Sequence, residues 1–137
     1  MNNKIYTFLG IIPNKMSKYF LLQSNNILNN EKNIINLLNY NKVQCLTNIN
    51  VINTKNKLIE TEIDIMMHNK ITIEFKNIND NFNSNFFDKI MFQRNRKIQC
   101  LQEINNNLTN HHTVIFTNNV INHNKFNDFI KIKKLKN

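Results

Sequence analysis

The sequence predicts an α/β fold, because helical and strand patterns alternate along the chain. Apolar residues recur at helical spacing over residues 25–39 and again over 84–108. Three segments between these helices alternate apolar and polar residues as strands do, and a short apolar run after the second helix indicates a fourth strand. The predicted order of helix, three strands, helix, strand, helix is typical of the α/β class. The 137 residues fit one domain, without a Gly/Ser-rich linker or an internal repeat.

Two neighbouring strands form the clearest feature of the sequence. They span Leu58–Met67 and Ile71–Lys76, and the three residues between them predict a hairpin. Apolar residues at every second position should face the core, and the residues between them should face away. The polar residues on this second face are Glu60, Glu62, Asp64, Thr72, Glu74 and Lys76.

The remaining elements are assigned from the same periodicities. Ser84 or Asn85 can cap the second helix, and Ile5–Ile12 is predicted to be a buried segment that ends at Pro13. Residues 1–20 are otherwise unassigned. The other predicted elements are, in order, a helix over 25–39, a strand over 43–51, a helix over 84–108, a strand over Thr113–Phe116, an amphipathic helix around Phe126–Ile130 and a basic tail over 131–137.

The overall composition favours a nucleic-acid partner inside a reducing compartment. The net charge of +9 indicates a polyanionic partner, although an AT-rich coding genome, such as that of an organelle, also enriches Lys, Asn and Ile. Cys45 and Cys100 lie in apolar segments and are expected to be buried free thiols. The four histidines lack zinc-ligand spacing. No apolar stretch approaches the ~20 residues of a membrane span, so no membrane association is expected.

The acidic residues are concentrated on the predicted hairpin. The chain has nine Asp and Glu, and four of them lie on its two strands. A turn over residues 68–70 would place Asp64 opposite Glu74 and Glu62 opposite Lys76. Directly opposed carboxylates destabilise a sheet, but a divalent cation with oxygen ligands requires them. The alternative is the solvated polar face of an amphipathic hairpin.

The hairpin also resembles a known nuclease signature. Glu62-Ile63-Asp64-Ile65, followed by Ile73-Glu74-Phe75-Lys76, is similar to the motif of the PD-(D/E)XK restriction-endonuclease-like superfamily. The likeness is greatest to its Holliday-junction-resolvase-like, YraN-like and CRISPR-associated restriction-like members, and it spans roughly Glu31 to Phe116. It implies a mixed central β-sheet flanked by α-helices. Ile63 stands where the family usually has proline, a departure that these members tolerate.

The resemblance also implies roles for individual residues. Asp64, Glu74 and the backbone carbonyl of Phe75 would bind Mg²⁺ or Mn²⁺, and Lys76 would be the catalytic lysine. Three accessory positions are Glu62, Glu31 and Gln93; the alternative for Glu31 and Gln93 is an ordinary exposed helix residue. The expected phosphate contacts, which follow from charge, are Lys89, Arg94, Arg96, Lys97, Lys133, Lys134 and Lys136.

These roles imply a Mg²⁺-dependent endonuclease that hydrolyses phosphodiester bonds and leaves a 5′-phosphate. DNA is a more plausible substrate than RNA, and the small size favours a homodimer because cutting two strands needs two sites. The alternative function is a structural nucleic-acid-binding protein, ribosome- or nucleoprotein-associated, with a non-catalytic restriction-like fold.

Overall fold

The computed structural model describes residues 3–24, 36, 41–78, 84–117 and 130–134, and these form an α/β structure with one mixed sheet. The predicted α/β class is therefore confirmed. Within the described residues the elements are α1 (Asn3–Leu9), β1 (Tyr19–Gln23), β2 (Cys45–Asn53), β3 (Ile59–Met67), β4 (Ile71–Ile78), α2 (Ser84–Ile104), β5 (Asn110–Thr117) and β6 (Ile130–Lys134).

The six strands lie in the sheet in the order of the chain. Strands β1 to β4 are each antiparallel to the next, whereas β5 is parallel to β4 and β6 is parallel to β5. A parallel connection must cross the sheet, and α2 makes this crossing between β4 and β5. The helix contacts both β1 and β5, and this position brings its side chains close to the hairpin.

The predicted hairpin and the long helix are both present. Strand β4 continues to Ile78, and β5 begins at Asn110, before the predicted Thr113. Helix α2 ends at Ile104 rather than at residue 108, where Asn105 and Leu108 form a turn. The predicted first helix lies outside the described residues apart from Asn36, which is helical.

The C-terminal segment differs from its prediction. The expected basic tail is strand β6 as far as Lys134, paired in parallel register with β5 from Thr113 onward. Ile130 begins this strand, so it does not end a helix; residues 126–129 lie outside the described part of the chain. The alternation of Ile130, Lys131 and Ile132 is the strand period, which the prediction of a tail overlooked.

The N-terminal segment, which the sequence left unassigned, is fastened to the end of α2. Helix α1 ends at Leu9 and is followed by Gly10, whose φ of 65° allows Ile11 N–H to bond to Tyr6 C=O in a helix-terminating turn. Asn14 N–H then donates to Ile104 C=O at 2.8 Å. The segment is buried at Ile5 and Ile11 but exposed at Ile12, so the predicted burial holds for only part of it.

The apolar core joins α1, the first three strands and the C-terminal half of α2. Its members are Ile5, Tyr6, Leu9, Ile11, Leu21, Ile49, Val51, Ile63, Met66, Cys100, Leu101, Ile104 and Leu108. Cys100 is buried as expected, and Cys45 is half-buried; both are free thiols. No helix among the described residues is long and apolar enough to cross a membrane.

Candidate functional site

The hairpin register brings Asp64 and Glu74 together. Ile65 pairs with Ile73, and Met66 pairs with Thr72; the same register carried one position further would place Asp64 opposite Glu74, and the charge of Asp64 does raise the pKa of Glu74. The turn over residues 68–70 closes with Lys70 at a φ of 70°. The side chain of Asp64 also contacts β4, because its Oδ2 accepts a hydrogen bond from Phe75 N–H at 2.8 Å. Asp64 is thereby fixed between the two strands.

The polar face of β4 is buried, contrary to its predicted orientation away from the core. Thr72 is fully buried and Glu74 is 8% exposed, whereas Lys76 is half-buried. The reason is α2, whose Lys97 packs against Glu74 on this face. The residues Ile71, Ile73 and Phe75, which were predicted to face the core, are only half-buried.

The carboxylate of Glu74 is buried, and two lysines lie close to one of its oxygens. Its Oε1 lies 2.9 Å from Lys97 Nζ and 3.7 Å from Lys76 Nζ. Burial raises the pKa of Glu74, the positive charge of Lys97 opposes this rise, and the negative charge of Asp64 adds to it. The other oxygen, Oε2, is buried and has no hydrogen-bond partner among the described residues. A cation at Oε2 would satisfy an atom that is otherwise costly to bury.

Two residues expected to contact phosphate at the surface lie inside the protein. Lys97 is 6% exposed and Arg94 is 7% exposed. They follow Ile90 at helical spacing, and the same stripe continues to Leu101, so they occupy the face of α2 that covers the sheet. That spacing was visible in the sequence, but positive charge was taken there as a sign of exposure.

His111 is a buried residue that the sequence analysis did not identify. Its Nδ1 lies 2.6 Å from Thr72 Oγ1, and the same hydroxyl is 3.1 Å from Asn110 C=O. Burial, together with the nearby positive charges of Lys97 and Arg94, lowers the pKa of His111 to about 3. The imidazole is therefore neutral at physiological pH. Its Nε2 has no hydrogen-bond partner among the described residues. Nothing in its spacing distinguishes it in the sequence.

An open cleft of about 320 Å³ gathers much of the predicted site between the hairpin and α2. Arg96, at its wall, forms an ion pair with Glu60. Phe92 is a further lining residue that the sequence analysis did not single out. The residues that line the cleft are Glu60, Thr61, Glu62, Glu74, Lys76, Phe92, Gln93, Arg96 and Lys97.

Other predicted residues are not part of the cleft lining or lie outside the described part of the chain. Asp64, Phe75 and Arg94 are not among the residues that line the cleft. Lys89 is exposed on α2. Lys133 and Lys134 are the last two residues of strand β6. Glu31 and Lys136 lie outside the described residues.

The oxygen atoms around Asp64 and Glu74 match the donor set that Mg²⁺ prefers. Among the described residues no three His, Cys, Asp or Glu side chains cluster, so a metal would have two carboxylates at most. Mg²⁺ is commonly bound by one or two carboxylates, with water and substrate phosphate completing its shell. The N–H and C=O groups of a strand residue point to the same neighbouring strand, and Phe75 N–H bonds to Asp64, so the carbonyl of Phe75 is expected on the Asp64 side. These groups therefore fit a hard divalent cation.

No protein-family model, curated protein or solved structure matches this chain. The functional assignment therefore depends on the chemistry of the site itself.

Proposed function

We propose that this protein is a divalent-metal-dependent nuclease of the PD-(D/E)XK type, with its active site at Asp64, Glu74 and Lys76. The observation that carries the proposal is the buried carboxylate of Glu74, which lines an open cleft, has an Oε2 without a hydrogen-bond partner among the described residues and is near enough to Asp64 for the charge of Asp64 to raise its pKa. Burying a carboxylate beside another is costly, and a bound cation removes that cost.

The topology supports a restriction-endonuclease-like fold. Strands β2, β3 and β4 are consecutive and antiparallel, and α2 then leads to the parallel strand β5. This is the order of elements that the resemblance of the hairpin motif implies. The motif residues lie on the two central strands of that sheet, where the hairpin register is fixed.

The mechanism assigns a separate task to each side chain. Asp64, Glu74 and the carbonyl of Phe75 would hold Mg²⁺ or Mn²⁺, which when bound lowers the pKa of a water and neutralises charge on the phosphate. Lys97 opposes the rise in the pKa of Glu74 that burial causes and so favours its ionised form. Lys76 is the more exposed of the two lysines and lines the cleft, so it can orient the attacking water or stabilise negative charge on the phosphate. Hydrolysis would leave the 5′-phosphate on one product.

We assign DNA as the preferred substrate and a homodimer as the working assembly. The net charge of +9 favours a polyanion, and two copies would supply two sites for the two strands of a duplex.

A cleavage panel tests this proposal. The purified chain is incubated with linear duplex DNA, branched DNA, single-stranded DNA and RNA, each with Mg²⁺, with Mn²⁺ and with a chelator. We expect cleavage of at least one DNA substrate with either metal and none with the chelator. Cleavage that survives the chelator, or no cleavage of any substrate, would refute a metal-dependent nuclease.

A second candidate function is a structural nucleic-acid-binding protein, and the Lys97–Glu74 ion pair favours it, because it compensates the buried carboxylate without a metal. Thermal unfolding with Mn²⁺ or Ca²⁺ separates the two functions. A metal site would raise the melting temperature by mass action, and Asp64→Asn would abolish the rise. An unchanged melting temperature in both proteins would favour the structural protein.

A further inference from the structure

Phe92 is an exposed aromatic residue at the mouth of the cleft. Its side chain is 72% exposed, and it lines the cleft together with Glu74 and Lys76. Exposing a large apolar side chain beside a polar site forgoes the free energy of its burial. Its position at the proposed active site makes contact with a substrate a specific explanation for the exposure.

Phe92 lies between two exposed cations on one face of α2. Lys89 precedes it by three residues and Arg96 follows it by four, and residues at these spacings are neighbours on a helix surface. The helix rises about 10 Å from Lys89 to Arg96, which is roughly the length of three stacked nucleotides. Aromatic side chains between cations are typical of surfaces that bind single-stranded nucleic acid.

The size and charge of the cleft favour one strand over two. Its volume of about 320 Å³ is at the small end for ligand pockets and suits a single nucleotide. Lys76 and Arg96 offer positive charge to one phosphate chain, Arg96 by exchanging its ion pair with Glu60, and Glu60 and Glu62 line the same cleft. These carboxylates would repel the phosphates of a second strand at the same place.

We propose that Phe92 stacks on an unpaired nucleobase next to the phosphodiester bond that is cut, so that the substrate is nucleic acid with a single-stranded, frayed or branched segment at the cleft. This inference rests on the proposed nuclease function, and it names the substrate class of that site. Phe92 acts as the specificity-determining residue, Lys89 and Arg96 bind the adjoining phosphates, and Glu74, a proposed metal ligand, lines the same cleft.

Binding measurements test this role without using cleavage. The full chain carrying Asp64→Asn, which retains the acceptor for Phe75 N–H, is titrated with a fluorescent single-stranded oligodeoxynucleotide, with RNA of the same sequence, and with the blunt DNA duplex. Phe92→Ala should weaken binding of the DNA single strand by about 5- to 150-fold, the range for loss of one base–aromatic stack. Duplex binding should change less than about twofold. Met16→Ala, which removes another exposed apolar side chain outside the cleft lining, is the matched control and should change neither.

Phe92→Trp supplies a direct signal, because the chain has no tryptophan of its own. The variant should retain the affinity for the single strand, and stacking should quench its fluorescence. Comparing the affinity for RNA with that for the DNA single strand of the same sequence shows whether the site prefers ribose or deoxyribose. The inference would be overturned if Phe92→Ala lost affinity equally for duplex and single strand, or lost no affinity at all. It would also be overturned if the protein bound neither nucleic acid, and a protein partner would then become the occupant.

The outcome is separable from that of the nuclease proposal. Metal-dependent cleavage with an unchanged strand preference in Phe92→Ala would refute only the role of Phe92. Selective single-strand binding through Phe92, in a protein that cleaves nothing, would refute only the nuclease.

Discussion

The ionisation of Glu74 depends on two lysines at different depths. Lys97 is buried and contacts Oε1 at 2.9 Å, whereas the motif residue Lys76 lies 3.7 Å from the same oxygen and is more exposed. Coulomb attraction is stronger at short distance and low dielectric, so Lys97 has the larger effect on the pKa of Glu74. Lys76 is correspondingly freer to interact with a substrate.

Removing Lys97 should therefore destabilise the protein through Glu74. Lys97→Met leaves a buried carboxylate without its closest cation, at an expected cost of about 3 kcal/mol in the free energy of unfolding. Adding Glu74→Gln should recover much of this loss, because the uncompensated charge is gone. Urea unfolding of the two single variants and the double variant measures the coupling. Additive effects in the double variant would show that Lys97 stabilises by packing alone.

Asp64 should have a structural role besides metal binding. Asp64→Ala leaves Phe75 N–H without its acceptor and should lower the free energy of unfolding by about 1 kcal/mol, partly offset by relief of repulsion from Glu74. Asp64→Asn retains an acceptor oxygen and should stay closer to wild type. Both variants should have less than about one hundredth of wild-type cleavage, because a carboxylate that binds the metal is removed. Equal stability of the two variants, or full activity in either, would contradict this dual role.

Among the elements, the sequence predicted those with regular alternation and missed those that depend on tertiary contacts. The alternation in β3 and β4 was enough to predict the hairpin, and the observed pairing of Ile65 with Ile73 has the register that was expected, because a shift by one residue would reverse both faces. Helix α1 and strand β1 are short, and their positions depend on the end of α2 and on Tyr6, whose hydroxyl accepts from Leu21 N–H. Such long-range contacts leave no local pattern.

The burial of the candidate site was harder to predict than its residues. Lys97 and Arg94 lie on the apolar stripe of α2, but their charge suggested solvent exposure. Their burial requires Glu74 and His111 to lie beneath the helix, and those residues come from β4 and β5. Only the packing of three elements reveals this polar layer.

Strand β6 allows a prediction that separates binding from chemistry. Lys133 and Lys134 belong to this strand, and Lys136 follows it. Replacing all three with alanine should weaken DNA binding and reduce the slope of log affinity against log salt by up to about 0.9 for each phosphate that the variant no longer neutralises. Turnover at saturating substrate should remain unchanged. Lys76→Ala should do the opposite, with affinity within a few-fold and a much slower chemical step. Loss of turnover in the triple variant would place β6 in the active site.

For the whole molecule, stability should depend on pH through the polar layer between the sheet and α2. His111 has a pKa of about 3 when folded, against 6.5 as its ordinary value. Between these values the unfolded chain binds a proton that the folded chain does not. The free energy of unfolding should therefore fall as the pH drops from 6.5 toward 3, by at most about 1.4 kcal/mol per pH unit from this group.

The variant His111→Gln isolates this contribution, because glutamine does not titrate. Urea unfolding between pH 7 and pH 4 should give a shallower pH dependence in the variant than in wild type. Glu74, with its raised pKa, acts in the opposite direction in both proteins and cancels in the comparison. Identical curves for wild type and His111→Gln would contradict a buried neutral imidazole.

The most direct test of the nuclease site is the cleavage rate of Glu74→Gln beside that of wild type, at saturating DNA and Mn²⁺. Glutamine nearly preserves the shape of the side chain but removes the charge that would bind the metal. The matched control is Glu103→Gln, which removes an exposed glutamate near the end of α2. We expect the control to retain wild-type activity and Glu74→Gln to fall below about one hundredth of it, with both proteins folded. Wild-type cleavage by Glu74→Gln would contradict a catalytic metal site on the hairpin.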